Sequence, residues 1–324
     1  MDFQAGGHFT DRYRGDAERR PLGSEDNKSP QMSKTTMSEK RVNIMGKLKL
    51  STLIAGLALL VGTWTTHAGP LTDRVKAGQA IRIGFSNVLP FAYPDDQGHP
   101  KGFANEIALG VLKKMGYSNV ETTVTDWGGL IPGLQASRYD IITGGMYILG
   151  PRCKSVAFSE PIAKLGDGFI VTAGNPKHVN TYKDIAEKGA IFVTYAGSST
   201  IAAAKKEGIA EDKIMVVPGP SEVLAAIKSG RGDAGSMTYL EAKLMADQSN
   251  GEIQATDPAA LPEWTYNWVG LGFRSEDADF LAKFNEALKQ YIGSEEMLKS
   301  VEEYGIVASS LPGDATTKWI CSNR

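Results

Sequence analysis

The residues with the clearest chemical potential lie between Arg138 and Pro161, in the run RYDIITGGMYILGPRCKSVAFSEP. Arg152 is the centre of interest. A guanidinium presents a planar fork of N–H donors that matches both oxygens of a carboxylate. It follows a short run of strand character, in which Tyr139, Ile141 and Thr143 alternate with Asp140, Ile142 and Gly144. The glycine pair Gly144-Gly145 is expected to end that strand and to let the backbone approach a ligand. Tyr147 adds a flat apolar face, and Pro151 suits the first turn of a short helix carrying Arg152. Two further aromatics, Phe91 and Trp127, stand in loops that follow other predicted strands. Strand ends of an α/β sheet gather ligand sites at one edge, so Phe91, Trp127, Tyr147 and Arg152 are expected in one cleft.

The elements that must hold this cleft read as alternating strands and helices. Ala80–Ser86 places Ile81, Ile83 and Phe85 on one strand face. Gly102–Gly116 is an amphipathic helix with Phe103, Ile107, Val111 and Met115 four apart. Val120–Thr125 is the next strand, and Trp127, Leu130, Ile131 and Leu134 form the stripe of a short helix. This order predicts a parallel sheet with right-handed crossovers. A second, smaller copy follows from Gly166: strands at Ala190–Ala196, Ile214–Pro218 and Asp233–Thr238, with helices between them. Gly197-Ser198-Ser199-Thr200 opens one of those helices, and its N–H groups and hydroxyls suit an anion or hydroxyl. The chain then returns through a long strand, Asn267–Phe273, and two helices. The expectation is a two-lobe α/β clamshell, with lobe 1 from 69–170 and 271–324, lobe 2 from 171–270, and extended hinge segments at Gly168–Thr172 and Val269–Phe273.

Bulk properties narrow the class of ligand. The 324 residues carry 35 basic and 37 acidic side chains, a formal charge of -2, so there is no basic footprint for nucleic acid. A small zwitterion fits better. The two cysteines, Cys153 and Cys321, form no CxxC pair, no His/Cys cluster has zinc-ligand spacing, and no metal or cofactor is expected. At the start, residues 1–44 are polar and without periodicity, which reads as disorder or as sequence upstream of the true start. Met45 begins a secretory pattern over 45–68: Lys47 and Lys49, the apolar run Leu50–Gly62, then the small-residue cleavage site Thr66-His67-Ala68. That run is shorter than the roughly 20 residues of a membrane span. Export to the periplasm is therefore expected, where Cys153 and Cys321 either pair, tying the tail beside the Arg152 turn, or remain buried free thiols.

Four motifs then align with a known family: Gly102-Phe103-Ala104-Asn105-Glu106; Asp140 through Gly145-Met146-Tyr147-Ile148 to Arg152; Phe158-Ser159-Glu160-Pro161; and Gly230-Arg231-Gly232-Asp233-Ala234. In this order they resemble the periplasmic solute-binding proteins of ABC importers, polar amino acid group. Within it, WGGLIPGLQASRYDII, GMYI and PRCKSVAFS are most similar to the ectoine and hydroxyectoine binders. The resemblance implies a non-enzymatic monomer that captures a small zwitterion and delivers it to a permease in the inner membrane. It also implies that Phe91, Trp127 and Tyr147 enclose the ligand's ring while Arg152 takes its carboxylate. Gly145, Ser198, Ser199, Thr200 and Thr238 complete the predicted site. Thr238 stands where amino-acid binders of the group carry an aspartate for the ligand's ammonium. Val88 stands where the ectoine binders carry a glutamate, with Asp126, Glu160 and Glu263 as candidate replacements. The alternatives are a polar amino acid binder of the same family and a periplasmic enzyme resembling cyclohexadienyl dehydratase.

Overall fold

The computed structural model describes residues 69–324; the sequence expectations for 1–44 and for the secretory segment 45–68 lie outside the described residues. Helix α1 (Pro70–Lys76) starts on a proline at its first position and is tied down where the Leu71 N–H donates to Asp277 Oδ1 at 2.7 Å. Strand β1 (Ile81–Phe85) buries Ile81, Ile83 and Phe85 completely. Its following loop carries a two-residue ribbon, β2 (Tyr93–Pro94) against β3 (Pro100–Lys101). Helix α2 (Phe103–Lys114) buries Phe103, Ile107 and Val111 as its spacing predicts, and each such side chain contributes about 1.5–3 kcal/mol when removed from water. Next come β4 (Val120–Val124), a 3-10 turn at Trp127–Gly129, α3 (Leu130–Gln135), β5 (Ile141–Tyr147) and α4 (Gly150–Cys153). The short strands β6 (Ala157–Phe158) and β7 (Ala163–Leu165) complete the outward path.

The second sheet is built from β8 (Asp167–Thr172), β9 (Phe192–Tyr195), β10 (Ile214–Val217), β11 (Ala234–Thr238) and β12 (Ile253–Ala255). Its helices are α5 (Tyr182–Glu187), α6 (Thr200–Lys206), α7 (Pro220–Lys228) and α8 (Tyr239–Asp247). The chain returns through β13 (Asn267–Phe273), followed by α9 (Ala278–Tyr291), α10 (Glu295–Val301) and α11 (Thr317–Asn323).

Both sheets are mixed: the parallel pairing expected of the alternating strands and helices holds for β1, β4 and β5, and antiparallel strands extend it. The first has the order β4-β1-β5-β13-β6, with β7 also on β13; the second has β10-β9-β11-β8-β12. In the first, β1 pairs in parallel with β4 and β5, while β13 runs antiparallel to β5, β6 and β7. In the second, β9 is parallel to β10 and β11, and β8 is antiparallel to β11 and β12. The inserted strands in each are those that carry the chain out of one sheet and back again, and their direction is set by that path. The chain crosses at Gly166, between β7 and β8, and again over residues 256–266, between β12 and β13. These crossings immediately precede the two strands expected as hinge segments, and they adjoin: a Cβ on Gly166 would sit 3.0 Å from the Tyr266 ring.

A buried charge cluster locks the start of β5. Arg82 Nη2 donates to Asp140 Oδ1 at 2.6 Å, Arg274 Nη2 donates to the same oxygen at 3.1 Å, and Arg274 also pairs with Asp277 at 2.7 Å. Burial raises the Asp140 carboxyl, but the hydrogen bonds from Arg82 and Arg274 outweigh it, leaving the group below the usual carboxylate range. Three strands, β1, β5 and β13, are thereby pinned at one end, so the other end of β5 is held in a fixed place. At that end Cys153 of α4 is disulfide-bonded to Cys321 of α11, with Cα atoms 5.9 Å apart. Of the two readings for these cysteines, the structure has the pair.

Candidate functional site

The loops that leave β1, β4 and β5 in the first sheet face those that leave β9 and β11 in the second. Between them lies a small cavity, and all nine residues expected at the site line it.

From the first sheet come the aromatic residues. Phe91 packs on Phe103 at the start of α2, with ring centroids 4.7 Å apart. Gly145 has φ of 72° and lies against it: a Cβ at that position would meet Phe91 at 2.5 Å, so glycine is required twice over. The strand does not end at the glycine pair as expected. It continues to Tyr147 because β13 keeps the ladder going, with a register shift between Gly270 and Gly272 that absorbs the irregularity. Tyr147 is thus the last residue of β5, and its hydroxyl donates to the Leu165 carbonyl at 3.3 Å. Trp127 sits in the 3-10 turn after β4, where its indole N–H donates to the Gly197 carbonyl at 3.2 Å.

Arg152 lies in the single turn of α4, as expected for its proline start. Its guanidinium donates to the Tyr147 carbonyl at 3.0 Å and, from the other arm, to the Gly197 carbonyl at 2.9 Å. It also stands 6.0 Å from the Trp127 ring centroid. Desolvation pulls it down to about 10, so it remains a cation at neutral pH. Gly197, in the loop after β9, therefore receives hydrogen bonds from two residues of the first sheet.

The second sheet supplies polar groups. Ser198, Thr200 and Thr194 form a chain of hydroxyls, 2.9 Å between Ser198 and Thr200 and 2.6 Å between Thr200 and Thr194. Ser199 is the N-cap of α6. Thr238 caps α8: its hydroxyl donates to Glu241 Oε2 at 2.7 Å, its N–H donates to the same oxygen at 2.9 Å, and it accepts the Glu241 N–H in return.

Sequence reasoning missed three of the lining residues that matter most. Tyr195, at the end of β9, sets its ring edge-on to Trp127 at 6.0 Å. Asp167 and Glu241 are the acids of the cavity, not Asp126, Glu160 or Glu263, none of which lines it. Glu160 is committed to the tail, accepting the Thr317 N–H at 2.9 Å. Desolvation raises Asp167 to about 7, against a hydrogen bond from Tyr182 and with help from the neighbouring charge of Glu241. Glu241 is raised to about 7 by desolvation as well, opposed by its bonds from Thr238. The only sequence signal was the Thr238-x-x-Glu241 spacing, which reads as a capping box and conceals the second oxygen. The resulting cavity has a cation at one side, aromatic walls, and two carboxyls with raised affinity for protons. Such an arrangement offers partners to both signs of charge.

The sequence pattern of the bacterial extracellular solute-binding proteins, family 3, matches residues 81–306. A probable amino-acid ABC transporter periplasmic-binding protein of Sinorhizobium fredii is 33% identical over 282 residues, spanning 85% of this chain and 93% of that protein. Among solved structures, EhuB in complex with hydroxyectoine superposes with a TM-score of 0.71 at 28% identity, over 78% of this chain and 98% of its own. The ancestral amino acid-binding protein AncCDT-1, a precursor of cyclohexadienyl dehydratase, gives 0.63 at 26% identity, over 72% and 98%.

Proposed function

The chain belongs to the bacterial extracellular solute-binding proteins, family 3, and from that premise we propose that it captures ectoine, hydroxyectoine or a related cyclic zwitterion. Its general role is that of the solute-binding component of an ABC importer for amino-acid-like ligands. The observation that carries the finer reading is the pairing of Arg152 with a wall of Phe91, Trp127, Tyr147 and Tyr195 in one cavity. A carboxylate seated on Arg152 gains charge-assisted hydrogen bonds, and a delocalised ring cation gains about 2 kcal/mol from each desolvated aromatic face it covers. The likeness to EhuB supports this ligand class.

In the same reading the protein is exported through the segment 45–68, works as a monomer, and hands its ligand to a permease of the inner membrane. Its lobes move about Gly166 and residues 256–266. Calorimetric titration with ectoine, hydroxyectoine, proline, betaines and the common amino acids tests the proposal. Saturable binding of a cyclic zwitterion by the wild-type protein, abolished in Arg152→Ala, is the expected result; unchanged affinity in that variant refutes it.

A second reading is favoured by one observation: Asp167 and Glu241 have affinities for protons near neutrality, as a general acid requires. An enzyme on this scaffold would aromatise a cyclohexadienyl acid, its ring carboxylate leaving as carbon dioxide as the ring hydroxyl, protonated by the general acid, leaves as water. Incubation with prephenate or arogenate, followed for phenylpyruvate or phenylalanine, separates transformation from capture.

A further inference from the structure

Two carboxyl groups of the cavity are shielded almost completely yet left half-satisfied. Asp167 is 3% and Glu241 1% exposed. On Asp167, Oδ2 accepts from the Tyr182 hydroxyl at 2.8 Å; on Glu241, Oε2 accepts both bonds from Thr238. The remaining oxygens, Asp167 Oδ1 and Glu241 Oε1, have no hydrogen-bond partner among the described residues. A buried acceptor left unmade costs about 1–3 kcal/mol, more when charged. Folding does not demand this arrangement, since the cap of α8 uses Oε2 alone.

The two acids are brought together by sheet register. In the antiparallel pair of β8 and β11, Asp167 stands directly opposite Thr238, and Thr238 holds Glu241 through the cap. No salt bridge joins either acid to Arg152 among the described residues, although all three line one cavity. Opposite charges thus line one cavity without pairing, and each acid keeps one oxygen without a partner among the described residues.

We propose that Asp167 and Glu241 form the cation-recognising half of the site. This half selects ligands whose positive charge is shared by two or more N–H groups, the amidinium and guanidinium class. The inference rests on the zwitterion reading above, with the ligand's carboxylate on Arg152. Two acceptor oxygens on separate elements, the first residue of β8 and the first turn of α8, give two points of attachment. A delocalised planar cation offers divergent N–H donors to satisfy both, while a quaternary nitrogen offers none and leaves both acids unpaired. A compact primary ammonium meets no carboxylate at position 238, where the threonine is committed to Glu241.

Four probes test this by calorimetry at about pH 8, where both acids are ionised: hydroxyectoine, L-arginine, L-glutamine and glycine betaine. They share a carboxylate: hydroxyectoine adds a ring amidinium, glutamine a primary α-ammonium, arginine that same α-ammonium and a guanidinium, and betaine a quaternary nitrogen. Hydroxyectoine or arginine is expected to bind, the tighter of the two identifying the source of the delocalised cation, with glutamine and betaine at least about 100-fold weaker. Asp167→Asn and Glu241→Gln are each expected to weaken the best probe about 10-fold or more while the ligand-free protein unfolds at an unchanged or higher temperature. Glutamine or betaine binding as tightly as the delocalised cations overturns the inference. So does wild-type affinity in both acid variants when Arg152→Ala has lost binding, an outcome that leaves the zwitterion reading standing. Retained affinity in Arg152→Ala, or no binding of any probe to the wild-type protein, overturns that reading and the inference with it.

Discussion

Trp127 has two tasks that a substitution can separate. Its ring is a cavity wall, and its N–H holds the Gly197 carbonyl of the opposite sheet. Trp127→Ala is expected to weaken ligand binding by about 1–3 kcal/mol, and Trp127→Phe, which keeps a ring and loses the donor, by less than half of that. Equal losses in calorimetry for the two variants assign the residue to closure alone. Asp167 and Glu241 make a further prediction, in pH. Facing them are Tyr147, Tyr182, Tyr195, Thr238 and Arg152; the three tyrosines are pushed well above their ordinary range by burial and stay neutral. Each acid is raised to about 7 in the folded protein, against about 4 in the unfolded chain. Below about pH 4 both states are protonated. Between about 4 and 7 the folded state holds more protons than the unfolded one, so stability falls as pH rises through this window and levels off above it. Urea unfolding of the ligand-free protein across that range is expected to show this loss, on the order of a few kcal/mol, and the double variant Asp167→Asn/Glu241→Gln to flatten it. A flat wild-type profile would show that the acids are not perturbed.

At the scale of elements, α4 is too short to hold its own shape, and its position comes from neighbours. The disulfide to Cys321 and the Gly150 N–H donating to the Arg324 carbonyl at 2.8 Å brace it from α11. Trp268 Nε1 donates to the Pro312 carbonyl and its ring meets Trp319 edge-on, which seats the tail on the first sheet. The cross-link closes 168 residues of chain, and its loss is expected to cost about 2–4 kcal/mol. The variant Cys153→Ser/Cys321→Ser should therefore melt several degrees lower while keeping cooperative unfolding. Calorimetric scanning checks this, and an unchanged midpoint would mean that the tail's other contacts suffice. Sequence reading did not anticipate α11, because only Ile320 is fully buried and one buried residue makes no periodic stripe. Helix α2 was readable because its burial repeats along 12 residues.

At the scale of the molecule, the halves meet where the loop after β9 touches the turn after β4. Gly197 has φ of 78°, and a Cβ there would lie 3.1 Å from Gly128 Cα and 3.3 Å from Trp127. Gly197→Val is expected to prop the halves apart and to weaken ligand affinity about 10-fold, with a stability loss of about 1–3 kcal/mol because a β-branched side chain is strained at positive φ. Small-angle scattering with ligand should then report a larger radius of gyration than for the wild-type protein. Equal radii and equal affinities would remove Gly197 from the closure contact.

The order of strands and helices, the Arg152 turn and the aromatic positions were legible in the chain, because each depends on local periodicity, on proline and glycine, or on motif residues close in sequence. The acids were not. Asp167 lies between two glycines at a crossing with no pattern of its own, and Glu241 reads as an ordinary helix cap. Only the antiparallel pairing of β8 with β11, between residues 71 apart as with Asp167 and Thr238, brings the two acids into the lining of one cavity. Register between distant strands is chosen by the packing of the whole sheet, not by any local preference. For that reason the guanidinium end of this site could be read from the sequence, and the carboxylate end could be found only in the fold.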